Sequence, residues 1–253
     1  MQPKIVSRED WLAARTALLE KEKAFTRARD ALAAEKRALP WVLVEKEYVF
    51  DTPEGKTTLG GLFGGRSQLF VKHFMLGPGQ PRLCIGCSFE MDHIEGILPH
   101  LQNHDVAYVA VARAPLAEIE PVRRRMGWSI PWVSSYGSDF NFDFDVSYSP
   151  EQLRAGTATY NYRRGDFGME DLSGDSVFCK DDAGRIFHTY STFGRGAEDF
   201  LGAYRILDVM PKGRNETRGM SEWVRPHDMY GKGGTVEPNG RYHAAGCACS
   251  VHR

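Results

Sequence analysis

Apolar residues repeat at helical spacing near the N-terminus and gather into short continuous runs after residue 40, so a long helix precedes an alternation of strands and helices. Between Ser7 and Leu39 the residues Trp11, Ala14, Leu18, Phe25, Ala28, Leu32 and Leu39 recur at close to heptad spacing in a background of Ala, Glu, Lys and Arg. That predicts one helix with a narrow apolar stripe, capped by Ser7 with Asp10 three residues on and stopped by Pro40. The stripe suits packing on the protein's own domain or pairing with a second copy in a homodimer. Lys21 and Glu35 interrupt the seam where a strong coiled coil would stay apolar.

After Pro40 the run Trp41 to Phe50 reads as a strand, and Asp51-Thr-Pro-Glu-Gly55 has the turn chemistry to close a hairpin. Leu69 to Met75 reads as a buried strand, followed by the loop Gly77-Pro-Gly-Gln-Pro81 and a helix beginning at Cys84. Val106 to Ala112 is the next strand, Pro115 to Met126 the next helix and Trp132 to Ser134 a short third strand. Ser176 to Lys180 and Arg185 to Thr189 flank Asp181-Asp-Ala-Gly184 as a hairpin, and Ala197 to Leu207 reads as a closing helix. The order βαβαβ, an insertion, then ββα predicts an α/β fold with a central mixed sheet whose first strands are parallel. The expected division is an N-terminal helical arm (1–40), one domain (41–210) with an insertion at about 137–172, and an irregular, partly mobile tail (211–253) rich in Gly, Pro and charge.

Charge and cysteine usage narrow the chemistry. The 253 residues carry 33 acidic and 32 basic side chains, a balance that gives no general attraction to nucleic acid or to an anionic membrane. Met1 to Glu20 is charged throughout and lacks a signal peptide's apolar run, and no later stretch approaches the roughly 20 apolar residues of a membrane span, so a cytoplasmic protein is expected. Five cysteines are too few and too odd a number for a secreted disulfide framework, which makes a close pair catalytic or metal-binding.

That pair is Cys84-Ile-Gly-Cys87. At a helix start, one sulfur sits among unpaired amides that favour thiolate, and the other lies one turn inside. Cys87, Met91, Ile94, Leu98 and Leu101 share a helical face that should be the core, leaving Cys84 on the loop side. Cys84 is therefore the candidate attacking thiol and Cys87 the sheltered resolving thiol of a dithiol-disulfide exchange that requires no bound cofactor. Half of a structural zinc site, or two inert thiols, are the other accounts of the pair.

The segments Phe70-Val-Lys-His-Phe-Met-Leu-Gly77, Cys84-Ile-Gly-Cys-Ser-Phe89, Arg113-Ala-Pro-Leu-Ala117 and Arg124-Arg-Met-Gly-Trp-Ser-Ile-Pro-Trp-Val-Ser-Ser135 carry a resemblance. With Trp11-Leu-Ala-Ala-Arg15, Leu39-Pro-Trp41, Gly137-Ser-Asp-Phe-Asn141 and Phe187-His-Thr-Tyr-Ser-Thr192, they resemble, over nearly the whole chain, a bacterial family of unknown function (domain of unknown function 899) labelled predicted dithiol-disulfide oxidoreductase. The resemblance implies a thioredoxin-like fold and, for sites, Cys84 and Cys87, which match the family's paired cysteines. Ordinary thioredoxins have Trp where Leu83 stands, Gly-Pro where Ile85-Gly86 stands, and a cis-proline before the strand that Gly174-Asp-Ser176 precedes here.

The remaining motifs have plainer accounts. Cys247-Ala-Cys249 with His252 could hold a soft metal or resolve a disulfide passed out from Cys84, but an unanchored Gly-rich tail favours incidental thiols. Cys179 reads as a small core residue, and His93 and Asp92 as helix-surface polarity, since His93 lies about half a revolution from Cys84. Asp139-Phe-Asn-Phe-Asp-Phe-Asp145 lacks the Gly and Glu of a calcium loop, and the aromatics Trp128, Trp132, Tyr136, Phe140, Phe142 and Phe144 read as a pocket wall or an apolar plug. Three functions compete: a thiol-disulfide oxidoreductase acting on a disulfide-containing protein or a small-molecule thiol, a peroxiredoxin-like thiol peroxidase, and a non-catalytic dimeric binding protein. Cys84 occupies the position three before Cys87 where a peroxidase would need Thr or Ser, so the first reading leads.

Overall fold

Ser7 caps the first helix: its hydroxyl accepts the Asp10 amide at 3.0 Å, and α1 runs Arg8–Arg37. Glu9 and Asp10 stand in its first turn and Lys36 and Arg37 in its last, each sign at the helix end it stabilises. The computed structural model describes residues 4–246. The chain divides into two units, Met1–Trp41, which is α1 and its flanks, and Val42–Arg253. No residue of α1 is buried.

The second unit is built on eight strands: β1 (Val42–Leu43), β2 (Val49–Thr52), β3 (Gly55–Thr58), β4 (Gln68–His73), β5 (Val106–Ala112), β6 (Trp132–Ser134), and, after a two-stranded hairpin of β7 (Ala158–Tyr160) and β8 (Arg163–Gly165), β9 (Gly174–Lys180) and β10 (Ile186–Phe193). Their order is β1-β10-β9-β4-β5-β6-β2-β3, with β4, β5 and β6 parallel and the other pairings antiparallel. Helices α2 (Ile85–Glu95) and α3 (Leu98–Asn103) cross from β4 to β5, α4 (Leu116–Met126) crosses from β5 to β6, α5 (Phe140–Asp143) and α6 (Pro150–Arg154) lie in the insertion, and α7 (Gly202–Leu207) follows β10. A sheet core ordered β10-β9-β4-β5, with a crossover helix after β4 and a helix after the final hairpin, is a thioredoxin-like fold. The last strands are β11 (Thr235–Val236) and β12 (Tyr242–His243), which pair with each other.

Two expected elements are broken. The run 41–50, read as one strand, is β1 and β2, which pair at opposite ends of the sheet order. Six inter-strand steps of about 4.8 Å would separate them by about 29 Å in a flat sheet. The six Cα steps from Leu43 to Val49 reach at most about 23 Å, so the sheet must curl. The expected closing helix from Ala197 is a 3-10 turn (Gly194–Phe200) and then α7, separated at Leu201, whose extended ψ of 89° and burial among Ile85, Phe89 and Tyr204 interrupt the helix.

Alternation along β4 sets up the site. Leu69 and Val71 join one apolar layer with Phe50, Phe63, Val109, Val111, Phe140 and Phe178. Phe70 faces the opposite layer, where Cys84, Cys87, Met91, Ile94, Tyr108 and Trp132 pack, and Lys72 shares its parity. Phe140 and Trp132 therefore lie in different layers, so the aromatic residues near the insertion do not wall one pocket.

Gly174, at the start of β9, is a point of close approach. A Cβ there would meet Phe193 Cδ1 at 2.8 Å and Val146 Cγ1 at 2.9 Å. Gly174→Ala is expected to destabilise the protein by about 1–3 kcal/mol through overpacking, read as a lowered denaturation midpoint with an unchanged slope.

Candidate active site at the Cys84–Cys87 pair

β4 ends at His73, and the loop that follows delivers Cys84 as the N-cap of α2. Cys84 has extended backbone (φ −68°, ψ 121°), and its Sγ accepts the Cys87 amide at 3.3 Å, taking the capping role that a hydroxyl or carboxylate fills elsewhere. Cys87 lies on the core face with Met91 and Ile94, and its Sγ accepts the Met75 amide at 3.5 Å. Each thiol influences the titration of the other.

The sequence placed Cys84 toward water. It is only 6% exposed and Cys87 1%, because the segments 194–221 and 238–240 fold over the start of α2. Both sulfurs line a pocket of about 670 Å³ that those segments roof, so the pair is sheltered yet approachable.

The two thiols titrate in opposite directions. The hydrogen bond with the Cys87 thiol does most to lower Cys84, burial opposes it, and the Cys87 amide and the Lys72 charge assist, leaving Cys84 at about 7. Burial, and then the hydrogen bond to Cys84, pushes Cys87 well above the usual thiol value. A poised thiol beside a protonated one is the electrostatic condition for ordered attack and resolution.

Beneath the pair lies a buried charge cluster that the sequence reading missed. Lys72 Nζ lies 2.5 Å from Glu90 Oε2 and 3.2 Å from Asp175 Oδ1, and all three side chains are at most 2% exposed. Lys72 and Asp175 are direct cross-strand partners of β4 and β9, and Glu90 stands one turn after Cys87 on α2. Tyr108 donates to Glu90 at 3.2 Å. Burial works against the Lys72 charge, but Asp175 and Glu90 outweigh it and hold the ammonium well above its usual value. One cation cannot balance two buried carboxylates. Burial first, then the Glu90 charge and hydrogen bond, raise Asp175 well above its usual value against the pull of Lys72. A lysine inside the apolar run Leu69 to Met75 was the available signal.

The other singled-out residues lie elsewhere. Cys179 sits on β9 opposite Gln68 and Phe187, and burial raises its thiol. His93 links α2 to the start of α7: its Nδ1 lies 2.6 Å from the Phe89 carbonyl and its Nε2 accepts the Ala203 amide at 2.9 Å. Asp92 accepts from the Trp128 indole at 2.8 Å. Asp139 and Asp143 both pair with Lys46 at 2.7 Å. Among the described residues no group of three or more His, Cys, Asp or Glu could hold a metal ion, no peptide bond is cis, and no helix is long and apolar enough to cross a membrane. Cys247, Cys249 and His252 lie outside the described residues.

Residues 1–230 match the model of a family described as "Bacterial protein of unknown function (DUF899)", and the chain belongs to that family. No curated protein matches it. Solved structures with a similar course include a cysteine-to-serine mutant of Xylella fastidiosa PrxQ (15% identity, 63% of this chain and 88% of that chain, TM-score 0.39). Peroxidoxin BcpB from Mycobacterium tuberculosis is 12% identical over 66% of this chain and 96% of that chain (TM-score 0.41). Xanthomonas campestris peroxiredoxin Q is 16% identical over 67% and 92% (TM-score 0.38).

Proposed function

We propose that this member of a bacterial family of unknown function is a thiol-disulfide oxidoreductase in which Cys84 attacks and Cys87 resolves. The observation that carries the reading is the geometry of the pair: Cys84 caps α2 and accepts the Cys87 amide, Cys87 lies one turn on against the core, a pocket lies over them and the Lys72, Glu90 and Asp175 cluster lies beneath. The Cys84 thiolate attacks one sulfur of a substrate disulfide, that S–S bond breaks, and the first thiolate leaves. The Cys87 thiol passes its proton to the released thiolate or to water and attacks the Cys84 sulfur, which expels the second thiolate and closes an internal disulfide. Two electrons pass from the protein to the substrate, and no bound cofactor takes part. Lys72, whose charge lowers both thiols, favours each thiolate as it forms. The Asp175 and Glu90 carboxylates hold that ammonium in place by ion pairs at 3.2 and 2.5 Å.

The reduced protein mixed with a model disulfide tests this. Its oxidation rate is expected to rise about tenfold per pH unit below 7 and to level off above, following the Cys84 thiolate fraction. Peptide mapping is expected to find one new bond, Cys84 to Cys87. Consumption of hydrogen peroxide without disulfide reduction would select the peroxidase instead, and inertness toward both would leave a binding protein.

A further inference from the structure

We propose that the pocket over Cys84 takes a low-molecular-weight disulfide, the symmetrical or mixed disulfide of a small thiol, and excludes the disulfides of folded proteins. This rests on the oxidoreductase reading and adds the substrate class to it.

The first observation is that the chain itself occupies the backbone edge beside the cysteines. Ile85 donates its amide to the Gly240 carbonyl at 2.9 Å, Tyr242 donates to the Leu83 carbonyl at 3.0 Å, and Cys84 and Arg241 form an antiparallel bridge. An extended peptide docks at such an edge by adding a strand to it, and here that strand is already supplied. The strap is well tied. Gly240 donates to the Glu237 carbonyl and Glu237 to the Arg241 carbonyl, both at 2.9 Å, and the Glu237 carboxylate pairs with Arg82 at 2.7 Å and His243 at 2.6 Å. The Arg241 guanidinium reaches the Gln80 side chain, and Tyr242 is buried with Ile85, Phe89, Tyr204 and Val224.

The second observation is the space that remains. Met220 stands over Gly86, one of the two residues between the thiols, for a Cβ there would lie 3.4 Å from its sulfur. The whole pocket, which Met220 and residues 238–240 of the strap help to line, has a volume of about 670 Å³, inside the range that receives small molecules. A disulfide in a folded protein brings four continuing chain arms with it, and they need an open groove. A small disulfide needs only room for two short substituents, and Cys84 lines the pocket with 6% of its surface exposed. In the reaction such a disulfide loses its S–S bond, two small thiols leave, and the protein pair becomes the disulfide.

The test is a comparison of rate constants for oxidation of the reduced full-length protein by hydroxyethyl disulfide and by insulin, each divided by that of dithiothreitol, an unhindered dithiol, with the same oxidant. The normalised rate for hydroxyethyl disulfide is expected to exceed that for insulin at least ~10-fold, since access sets the exchange rate when thiolate fraction is fixed. A smaller excess overturns the substrate class while leaving the oxidoreductase reading intact; no oxidation by either disulfide sinks both. Met220→Trp, which narrows the mouth, is expected to slow hydroxyethyl disulfide at least ~10-fold at unchanged melting temperature. A folded Met220→Trp variant of undiminished rate overturns the pocket as the route, and if that variant does not fold, the two-oxidant comparison decides alone.

Discussion

Cys84→Ser is expected to abolish disulfide reduction, by at least ~1000-fold, because a serine hydroxyl stays protonated near neutral pH and is a poor nucleophile toward sulfur. Cys87→Ser is expected to behave differently: the first attack survives, and the substrate half accumulates on Cys84 as a mixed disulfide visible by mass spectrometry. The contrast follows from the geometry, in which both cysteines line the pocket but Cys84 is the more exposed, at 6% against 1%, and the Cys87 sulfur accepts the Met75 amide. A further distinction separates the two substitutions at 87. The Cys87 thiol is the largest influence holding Cys84 at about 7, so Cys87→Ala, which leaves no donor, should raise the Cys84 thiol more than Cys87→Ser, which keeps a hydroxyl. Thiolate absorbance against pH measures this. Retained reduction in Cys84→Ser, or a mixed disulfide trapped at any other cysteine, would end the proposed order of attack.

Lys72→Met is expected to cost about 3–5 kcal/mol of stability, the penalty for breaking a buried ion pair and leaving its partners uncompensated. With the ammonium gone, Glu90 and Asp175 stand at 1% exposure against each other and against the thiols. The deficit should depend on pH. Burial already raises Asp175 above its unfolded value, and losing Lys72 removes the charge that pulls it back down. A carboxyl whose folded pKa is raised binds more protons in the folded state, so its unfavourable contribution is absent below the unfolded value and grows as pH rises through it. Urea denaturation should therefore show a larger loss at pH 8 than at pH 5, and the double change Lys72→Met with Glu90→Gln should recover part of it. Lys72→Met should also move the Cys84 thiol above 7, because the Lys72 charge helps to lower it. A loss that is small and flat with pH would show that the cluster is not electrostatically coupled as drawn.

Much of the scaffold was legible because the forces that set it act over a few residues. Strands 106–112 and 132–134 have the limits that their apolar runs suggested, and the helix that Ser7 opens has its cap where the sequence put it. The turn at Pro53-Glu54 closes β2 on β3 by pairing Thr52 with Gly55, as proline and glycine spacing implies. The failures have a different cause. Residues 41–50 are apolar enough for one strand, but the chain divides because a curled sheet offers partners at both of its ends. The helix expected from Ala197 stops at Leu201 because that side chain is drawn into the cluster with Ile85 and Tyr204.

The amino-acid sequence by itself determined that two cysteines stand three positions apart where a helix begins, since periodicity and capping are local properties. Only the tertiary structure decided what surrounds them. Lys72 meets Glu90 across 18 positions and Asp175 across 103, and the strap that covers Cys84 is anchored by Arg82 and Glu237, 155 positions apart. No short-range pattern records such meetings, because they arise when folding brings distant segments to the same few ångströms of space, and burial there sets both the thiol titration and the room left for a substrate.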